Sequence, residues 1–175
     1  IHYHLFFAYK YELCHVYLID KIRDIWYNSD KISRRCMWIM LTIEKVQTSE
    51  DIMECAALAA EIWNQHFSSI LSQEQIDYMV SRFQSENALR SQINEEGYSY
   101  YFFNEDGNRV GYFGICPKED NTMFLSKIYM RKSSRGKGYA SQGFRFIQEE
   151  AKRLGCTKIW LTVNRYNESS IDVYE

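Results

Sequence analysis

The chain has 175 residues, of which 46% are hydrophobic and 25% are charged, and its formal net charge is −2 at pH 7. This length suits one domain with a short appendage, and the hydrophobic fraction is sufficient to build a core. The near-neutral charge gives no basis for a nucleic-acid partner. No apolar run approaches the roughly 20 residues of a membrane span, so we expect no membrane partner.

The five cysteines are widely scattered and include no CxxC pair. An odd, dispersed set is typical of reduced thiols and not of a disulfide framework or a zinc site. His2, His4, Cys14 and His15 lie close together in the sequence, but their spacing matches no ligand pattern. We therefore expect no metal ion, and we expect a cytoplasmic location.

Residues 1–40 begin with an aromatic, uncharged segment that is too short to span a membrane and lacks the pattern of a secretory signal. The run Leu41–Val46 that follows Met40 predicts an opening strand. We interpret residues 1–40 as an N-terminal extension of unclear origin and residues 41–175 as the domain.

Two amphipathic helices are predicted next. Thr48 and Asp51 resemble a capping box, and apolar residues then recur at helical spacing at Ile52, Ala56, Ala59 and Trp63. Ser72 and Gln75 form a second box. The apolar face after it runs through Ile76, Met79, Val80 and Phe83, and we expect Ala88, Leu89 and Ile93 to extend it.

Three closely spaced strands follow the helices. Tyr98–Phe103 is rich in aromatic residues, and an Asp-Gly hairpin signal separates it from a returning strand over Arg109–Ile115. Gly111 and Gly114 within that strand predict a bulge or a close backbone approach. After a polar loop, Met123–Met130 predicts the third strand.

The stretch Arg135–Ala140 is a basic, glycine-bearing turn between that strand and a helical pattern ending near Gly155. Glycine lets a ligand approach the backbone, and the first amides of a helix favour an anion. The short strand Lys158–Val163 completes a βαβ unit, whose second strand should run parallel to the first. We therefore predict that the turn binds the pyrophosphate of a nucleotide-derived cofactor.

The pattern Arg135-x-x-Gly138-x-Ala140 resembles the coenzyme A-binding motif of the GCN5-related N-acetyltransferases (GNAT superfamily). Downstream, Asn167 and the run Ser170–Glu175 resemble that family's Asn-x-x-Ala-x-x-x-Tyr-Glu segment, with serine in place of the usual alanine. The order of predicted elements is also similar to the family's. A looser likeness points to bacterial polyamine and small-amine acetyltransferases.

The resemblance covers about residues 41–175 and implies an α/β GNAT fold. That fold has a mixed, mostly antiparallel sheet with a parallel βαβ unit at the cofactor site. The family normally continues with a Lys-x-Gly-Phe segment and two more strands, so we expect a chain that is truncated at its C-terminus and lacks them. The exposed sheet edge would weaken turnover and would allow a homodimer.

The resemblance also implies the cosubstrate, acetyl-CoA, and the residues that hold it. The implied cofactor-binding residues are Arg135, Gly136, Lys137, Gly138, Tyr139 and Ala140 at the pyrophosphate, Ile128 and Met130 along the pantetheine arm, and Asn167. Tyr174 matches the family's general acid, which protonates the departing thiolate. A phenol with a pKa of about 10 is a reasonable donor to a thiolate with a pKa of about 8.5.

The implied reaction is direct transfer of the acetyl group to a primary amine of a small molecule. No general base is assigned, because Ser126 and Lys127 stand where the family often has a glutamate. Four further carboxylates are interpreted as solvated loop groups: Glu105, Asp106, Glu119 and Asp120. Acids that could place a cationic amine, or simply form a solvated helix face, are Glu61, Asp77, Glu95 and Glu96.

The residues leave three questions open: the role of His66, the acceptor, and whether the domain is catalytic. His66, at the end of the first predicted helix, either lines a substrate site or is a surface residue. If the chain is an enzyme, the acceptor is either a small amine or a protein, which would be acetylated at its N-terminus or at a lysine. The alternative to an enzyme is a non-catalytic acyl-CoA-binding domain.

Overall fold

The computed structural model of the chain describes residues 16–19, 41–69 and 71–162. These residues form six strands and four α-helices around one sheet. In chain order the elements are β1 (Val16–Ile19), β2 (Leu41–Lys45), α1 (Ser49–Phe67), α2 (Gln73–Phe83), α3 (Glu86–Asn94), β3 (Ser99–Glu105), β4 (Asn108–Pro117), β5 (Thr122–Met130), α4 (Tyr139–Arg153) and β6 (Lys158–Thr162).

The strand order across the sheet is β1-β6-β5-β4-β3-β2. Only β5 and β6 pair in parallel, and the other four recorded pairings are antiparallel. The predicted mixed sheet with one parallel βαβ unit is therefore confirmed. The sequence did not predict β1, which lies inside the interpreted N-terminal extension and pairs with the outer side of β6.

Both predicted capping boxes are present. The Thr48 hydroxyl accepts from the Asp51 amide at 3.1 Å, and the Asp51 carboxylate accepts from the Thr48 amide at 3.0 Å. Ser72 and Gln75 make the same reciprocal pair at the start of α2. None of the helices in the described ranges has the length and apolar character needed to cross a bilayer.

The predicted extension of the second helix is wrong. The helix ends at Phe83, and a new helix begins after Ser85, whose hydroxyl accepts from the Ala88 amide at 3.3 Å. Between them Gln84 is buried, and its side-chain oxygen accepts a hydrogen bond from the Tyr112 hydroxyl at 3.1 Å. This contact with a distant strand fixes the break between α2 and α3 at Gln84, where the sequence has neither glycine nor proline.

Helices cover both faces of the sheet. Helix α4 packs Ile147 and Ala151 against one face, which presents Phe103 and Phe113. Helices α1 and α3 cover the opposite face, where the core of Ile52, Cys55, Leu58, Ala59, Ile62 and Leu89 meets Tyr100, Phe102 and Tyr112. Helix α2 lies on the same side and packs Ile76 against Trp63 and Phe67 of α1. The sheet therefore separates α4, the helix that follows the glycine-bearing turn, from α1, α2 and α3.

The predicted bulge or close approach in β4 is confirmed at both glycines. A Cβ at Gly111 would lie 2.6 Å from the Tyr129 carbonyl oxygen, and one at Gly114 would lie 2.6 Å from the Tyr100 ring. Beside Gly114 the register shifts, because Gly114 pairs with Lys127 while the next residue of β4 pairs with Leu125. Ser126 is thus an extra residue, a β-bulge in β5.

Candidate active site

The turn before α4 has the backbone geometry that an anion-binding loop needs. Gly136 and Gly138 have φ angles of +75° and +80°, and a Cβ placed on either would have nothing within 4 Å. Both residues are exposed. Glycine adopts this left-handed backbone at no steric cost, so the turn leaves its backbone open to a ligand.

Helix α4 differs from the others at its N-terminus. Thr48, Ser72 and Ser85 cap α1, α2 and α3 with their hydroxyls, and each of those helices has an acidic residue in its first turn. Helix α4 begins after Gly138, which has no side-chain cap, and no acidic residue lies in its first turn. Its first amides and its positive dipole end are therefore available to an anion.

The side chain of Arg135 is held by two contacts with residues outside the turn. Its Nε donates to the Met130 carbonyl at 3.1 Å, and its Nη1 lies 3.3 Å from His66 Nδ1. Because a guanidinium only donates, Nδ1 is the acceptor and the imidazole proton lies on Nε2. Burial, together with Arg135, lowers the pKa of His66. The structure thus places His66 beside the turn.

The interpretation of Glu105 as a solvated loop carboxylate is wrong. Glu105 ends β3, and its side chain is only 14% exposed. It accepts from Lys137 Nζ at 2.5 Å, from the Tyr139 hydroxyl at 2.7 Å and from the Ser134 hydroxyl at 3.1 Å. The hydrogen bonds from Lys137 and Tyr139 lower the pKa of Glu105, so it is ionised at neutral pH. These partners lie about 30 residues away, which is why the local sequence gave no signal.

Strand β5 runs on towards the turn beyond its recorded pairing with β6. That parallel pairing runs from Thr122 opposite Lys158 to Leu125 opposite Leu161, and the described part of β6 ends at Thr162. Ile128 and Met130 lie on the later part of β5, where Ile128 is half-buried and Met130 is buried.

The structure therefore brings most of the predicted cofactor residues together. Arg135, Gly136, Lys137, Gly138, Tyr139 and Ala140 form the turn and the first residues of α4, directly after β5 with Ile128 and Met130. Tyr139 is buried with its hydroxyl on Glu105, so its backbone amide is the group left for a ligand. Asn167 and Tyr174 lie outside the described residues.

Two of the acids considered for placing an amine have protein partners. Glu61 pairs with Arg131 at 2.6 Å, and the hydrogen bond from Arg131 lowers its pKa. Asp77 accepts from Gln73, on its own helix. Among the described residues, no group of three or more histidine, cysteine or acidic side chains could hold a metal ion.

The residues at the turn fit a pyrophosphate. Open glycines, uncapped helix amides and the Lys137 ammonium offer donors and positive charge at one exposed turn. Strand β5 leads directly into this turn. A phosphate-bearing cosubstrate matches these features.

The chain belongs to the Acetyltransferase (GNAT) family, whose model matches residues 56–175. It is an acetyltransferase with acetyl-CoA as its cosubstrate, as the motif at Arg135 predicted. A curated relative, an uncharacterized N-acetyltransferase in the pepI 3′ region of Lactobacillus delbrueckii subsp. lactis, is 28% identical over 143 residues, which is 77% of this chain and 83% of the relative.

Two solved structures share the fold. The PaiA N-acetyltransferase of Thermoplasma acidophilum, in complex with coenzyme A, is 20% identical with a TM-score of 0.68, and the match covers 78% of this chain and 87% of that one. A predicted acetyltransferase of Clostridium acetobutylicum, solved with acetyl-CoA, is 18% identical with a TM-score of 0.54, over 77% and 88% of the two chains.

Proposed function

We propose that the protein transfers the acetyl group of acetyl-CoA to a primary amine of a small molecule by direct attack. The observation that carries this proposal is the uncapped N-terminus of α4, which begins directly after the open glycine turn. A pyrophosphate needs these two features side by side.

Each residue of the turn has a proposed role. The amides of Gly136, Gly138 and Ala140 hold the pyrophosphate oxygens, and Lys137 supplies the positive charge at the rim. Arg135 donates a hydrogen bond to the Met130 carbonyl, and this contact keeps the end of β5 against the turn. Tyr139 contributes its backbone amide.

The strand residues have a proposed role in placing the thioester. Ile128 and Met130 pair their backbone groups with the amides of the pantetheine arm. The Met130 carbonyl already accepts from Arg135, and its second lone pair leaves room for one more donor. This pairing sets the thioester carbon at the bulge of β5, where the amine attacks.

Two proposed residues lie outside the described part of the chain. Asn167 contacts acetyl-CoA through its side-chain amide, and Tyr174 protonates the departing thiolate as general acid. Both roles rest on the resemblance of their segment to the family's Asn…Tyr-Glu pattern. We place the protein in the cytoplasm, because its cysteines are dispersed and Cys55 and Cys116 are buried free thiols.

Calorimetry with acetyl-CoA, followed by an assay of thiol release, tests the proposal. The acceptor panel contains an alkyl diamine, an amino sugar, an aromatic amine and a lysine-containing peptide. We expect sub-millimolar binding of acetyl-CoA and turnover with at least one small amine. Turnover with the peptide alone would replace the small-amine proposal, and a protein that binds no acetyl-CoA would refute it.

A further inference from the structure

A buried lysine lies on β5 between the bulge and the strand segment proposed to bind pantetheine. Lys127 is 8% exposed, and its side chain passes over Gly114 towards β3. Its Nζ donates to Gln92 Oε1 at 2.7 Å and to the Tyr100 hydroxyl. The rings of Tyr98 and Tyr100 have their centroids 5.7 Å and 4.9 Å from Nζ.

No ion pair to Lys127 is recorded among the described residues. The ionisable groups that face it are Cys55 from α1, Glu96 from the segment after α3, and Tyr98 and Tyr100 from β3. Burial lowers the pKa of Lys127 to about 7, against the opposing effects of Cys55 and Glu96. Burial also raises the pKa of Cys55 to about 12, so that group stays a neutral thiol.

The surroundings of Nζ can accommodate both protonation states. The oxygens of Gln92 and Tyr100 accept from an ammonium, and the two tyrosine ring faces attract a cation. The Gln92 amide nitrogen donates to the Phe83 carbonyl at 3.3 Å, which fixes the orientation of the side-chain oxygen towards Nζ. A lysine held this way exchanges a proton without rearranging its neighbours.

The position of Lys127 along β5 places it beside the segment proposed to bind acetyl-CoA. It follows the bulge residue Ser126 and precedes Ile128, the first residue of that segment. Among the groups that contact Nζ, Tyr98 is the least buried. The side of Nζ that Tyr98 covers is therefore its most open side.

We propose that Lys127 is the catalytic base, which takes the proton that the attacking amine loses as it bonds to the thioester carbon. The inference rests on the proposed function. One N–H bond of the acceptor breaks as one forms on Nζ, and the new C–N bond replaces the C–S bond. The thiolate leaves with the proton of Tyr174, and water carries the proton of Lys127 away and restores that of Tyr174 before the next turnover.

The test is the pH dependence of kcat/KM for thiol release, with the best small amine of the panel, in wild type and Lys127→Met. We expect the wild-type rate to rise with pH through about 7, as Lys127 becomes neutral. In Lys127→Met we expect a loss of about 100-fold near pH 7 and no such rise. Its activity should instead increase at higher pH, as the free amine deprotonates, while the Kd for acetyl-CoA stays unchanged.

Lys152→Met is the matched control, because Lys152 is an exposed lysine of α4 paired with Glu149. It should keep the wild-type profile. Tyr100→Phe retains Lys127 but removes one oxygen that accepts from Nζ, so it should move the rise in rate to lower pH. A lysine with a purely structural role would leave that rise in place.

Each outcome decides a separate point. A folded Lys127→Met protein with the wild-type pH profile would overturn the role of Lys127 and leave the acetyl transfer standing. Tyr100→Phe with an unshifted profile would also overturn it. A wild-type protein that neither binds acetyl-CoA nor releases thiol would overturn the proposed function, and this inference with it.

Discussion

At the scale of single residues, Glu105 sets the charge of the glycine turn. Its carboxylate pairs with Lys137, whose side chain is 38% exposed, so part of the positive charge at the rim is already neutralised. A pyrophosphate placed on the turn would meet one attractive ammonium and one repulsive carboxylate. The affinity of the turn therefore depends on a residue that is not part of it.

Glu105→Gln should tighten the binding of acetyl-CoA. The amide keeps a hydrogen-bond acceptor for Tyr139 and removes the negative charge, which should lower the Kd by about threefold at low salt. The gain should shrink as the ionic strength rises. Calorimetry at two salt concentrations measures it, with Glu149→Gln on the exposed side of α4 as the control. Weaker binding by Glu105→Gln would mean that orientation of Lys137 matters more than charge.

Gly138→Ala should damage both the turn and the protein. A non-glycine residue at a φ of +80° costs about 1–2 kcal/mol, and relief of that strain would turn the amides away from the ligand. Gly97→Ala is a matched control, since Gly97 has a φ of +76° and equally open surroundings. Both variants should lose similar stability in urea. Only Gly138→Ala should bind acetyl-CoA at least about tenfold more weakly, and equal binding by both would refute the role of the turn.

A short motif carries the prediction of individual residues at the turn, whose glycines and charges occupy six consecutive positions. The partners of Glu105 and Lys127 could not be predicted, because Lys137, Gln92 and Tyr100 approach them only after the sheet has formed. Buried polar contacts between distant segments leave no local pattern.

At the scale of elements, α1 depends on its N-terminal cap. The Asp51 carboxylate accepts from the amides of Thr48 and Gln47 and from Arg109. The amide of Thr48 is the largest of the effects that lower the pKa of Asp51 from 3.8 to about 2. A carboxyl whose pKa is lowered on folding stabilises the protein above pH 3.8, and this contribution disappears as the pH falls towards 2.

Asp51→Asn should therefore destabilise the protein at neutral pH. Partial exposure reduces the effect expected from the pKa shift, and a loss of about 1–2 kcal/mol is reasonable for a cap that also pairs with an arginine. Urea unfolding from pH 7 to pH 2 measures it, and the difference from wild type should close below pH 4. Asp77→Asn, on the exposed side of α2, should change little. A constant deficit at every pH would point to packing instead of charge.

Elements with their own start signals were predicted correctly, and the break between α2 and α3 was not. Thr48 and Ser72 are followed by their box partners, so the beginnings of α1 and α2 could be read from four residues each. The end of α2 at Phe83 depends on the burial of Gln84 beneath Tyr112, which is 28 positions further on. A periodic apolar face carries no information about such a contact.

At the scale of the whole molecule, the proposed cosubstrate would connect three elements, β5, the turn and α4. Coenzyme A at 100 times its Kd should stabilise the folded state by about 2.7 kcal/mol and raise the Tm by about 5–10 °C. Pantetheine at the same concentration lacks the nucleotide and its phosphates, so it should raise the Tm much less. An equal shift with both ligands would show that the strand and not the turn dominates binding.

The antiparallel strands β3, β4 and β5 and the parallel strand β6 were predicted, because one hairpin signal and one βαβ unit indicate them. The pairing of β2 with β3 and of β1 with β6 was not predicted, since neither segment carries a signal for its partner strand. The domain boundary near residue 41 stays a prediction.

The bulge at Ser126 also has a consequence for how the chain tolerates length changes. Before it, the odd-numbered residues Met123 and Leu125 face α4, and after it the even-numbered Ile128 and Met130 do. Because of this one extra residue, the side chains that face α4 change from odd-numbered to even-numbered positions. Deleting Ser126 would remove the bulge and leave Leu125 opposite Ile115 and Lys127 opposite Gly114, so both faces of the strand would be kept. Deleting a residue elsewhere in β5 would instead exchange the faces on one side of the deletion. The bulge is therefore a position at which β5 tolerates a change of length.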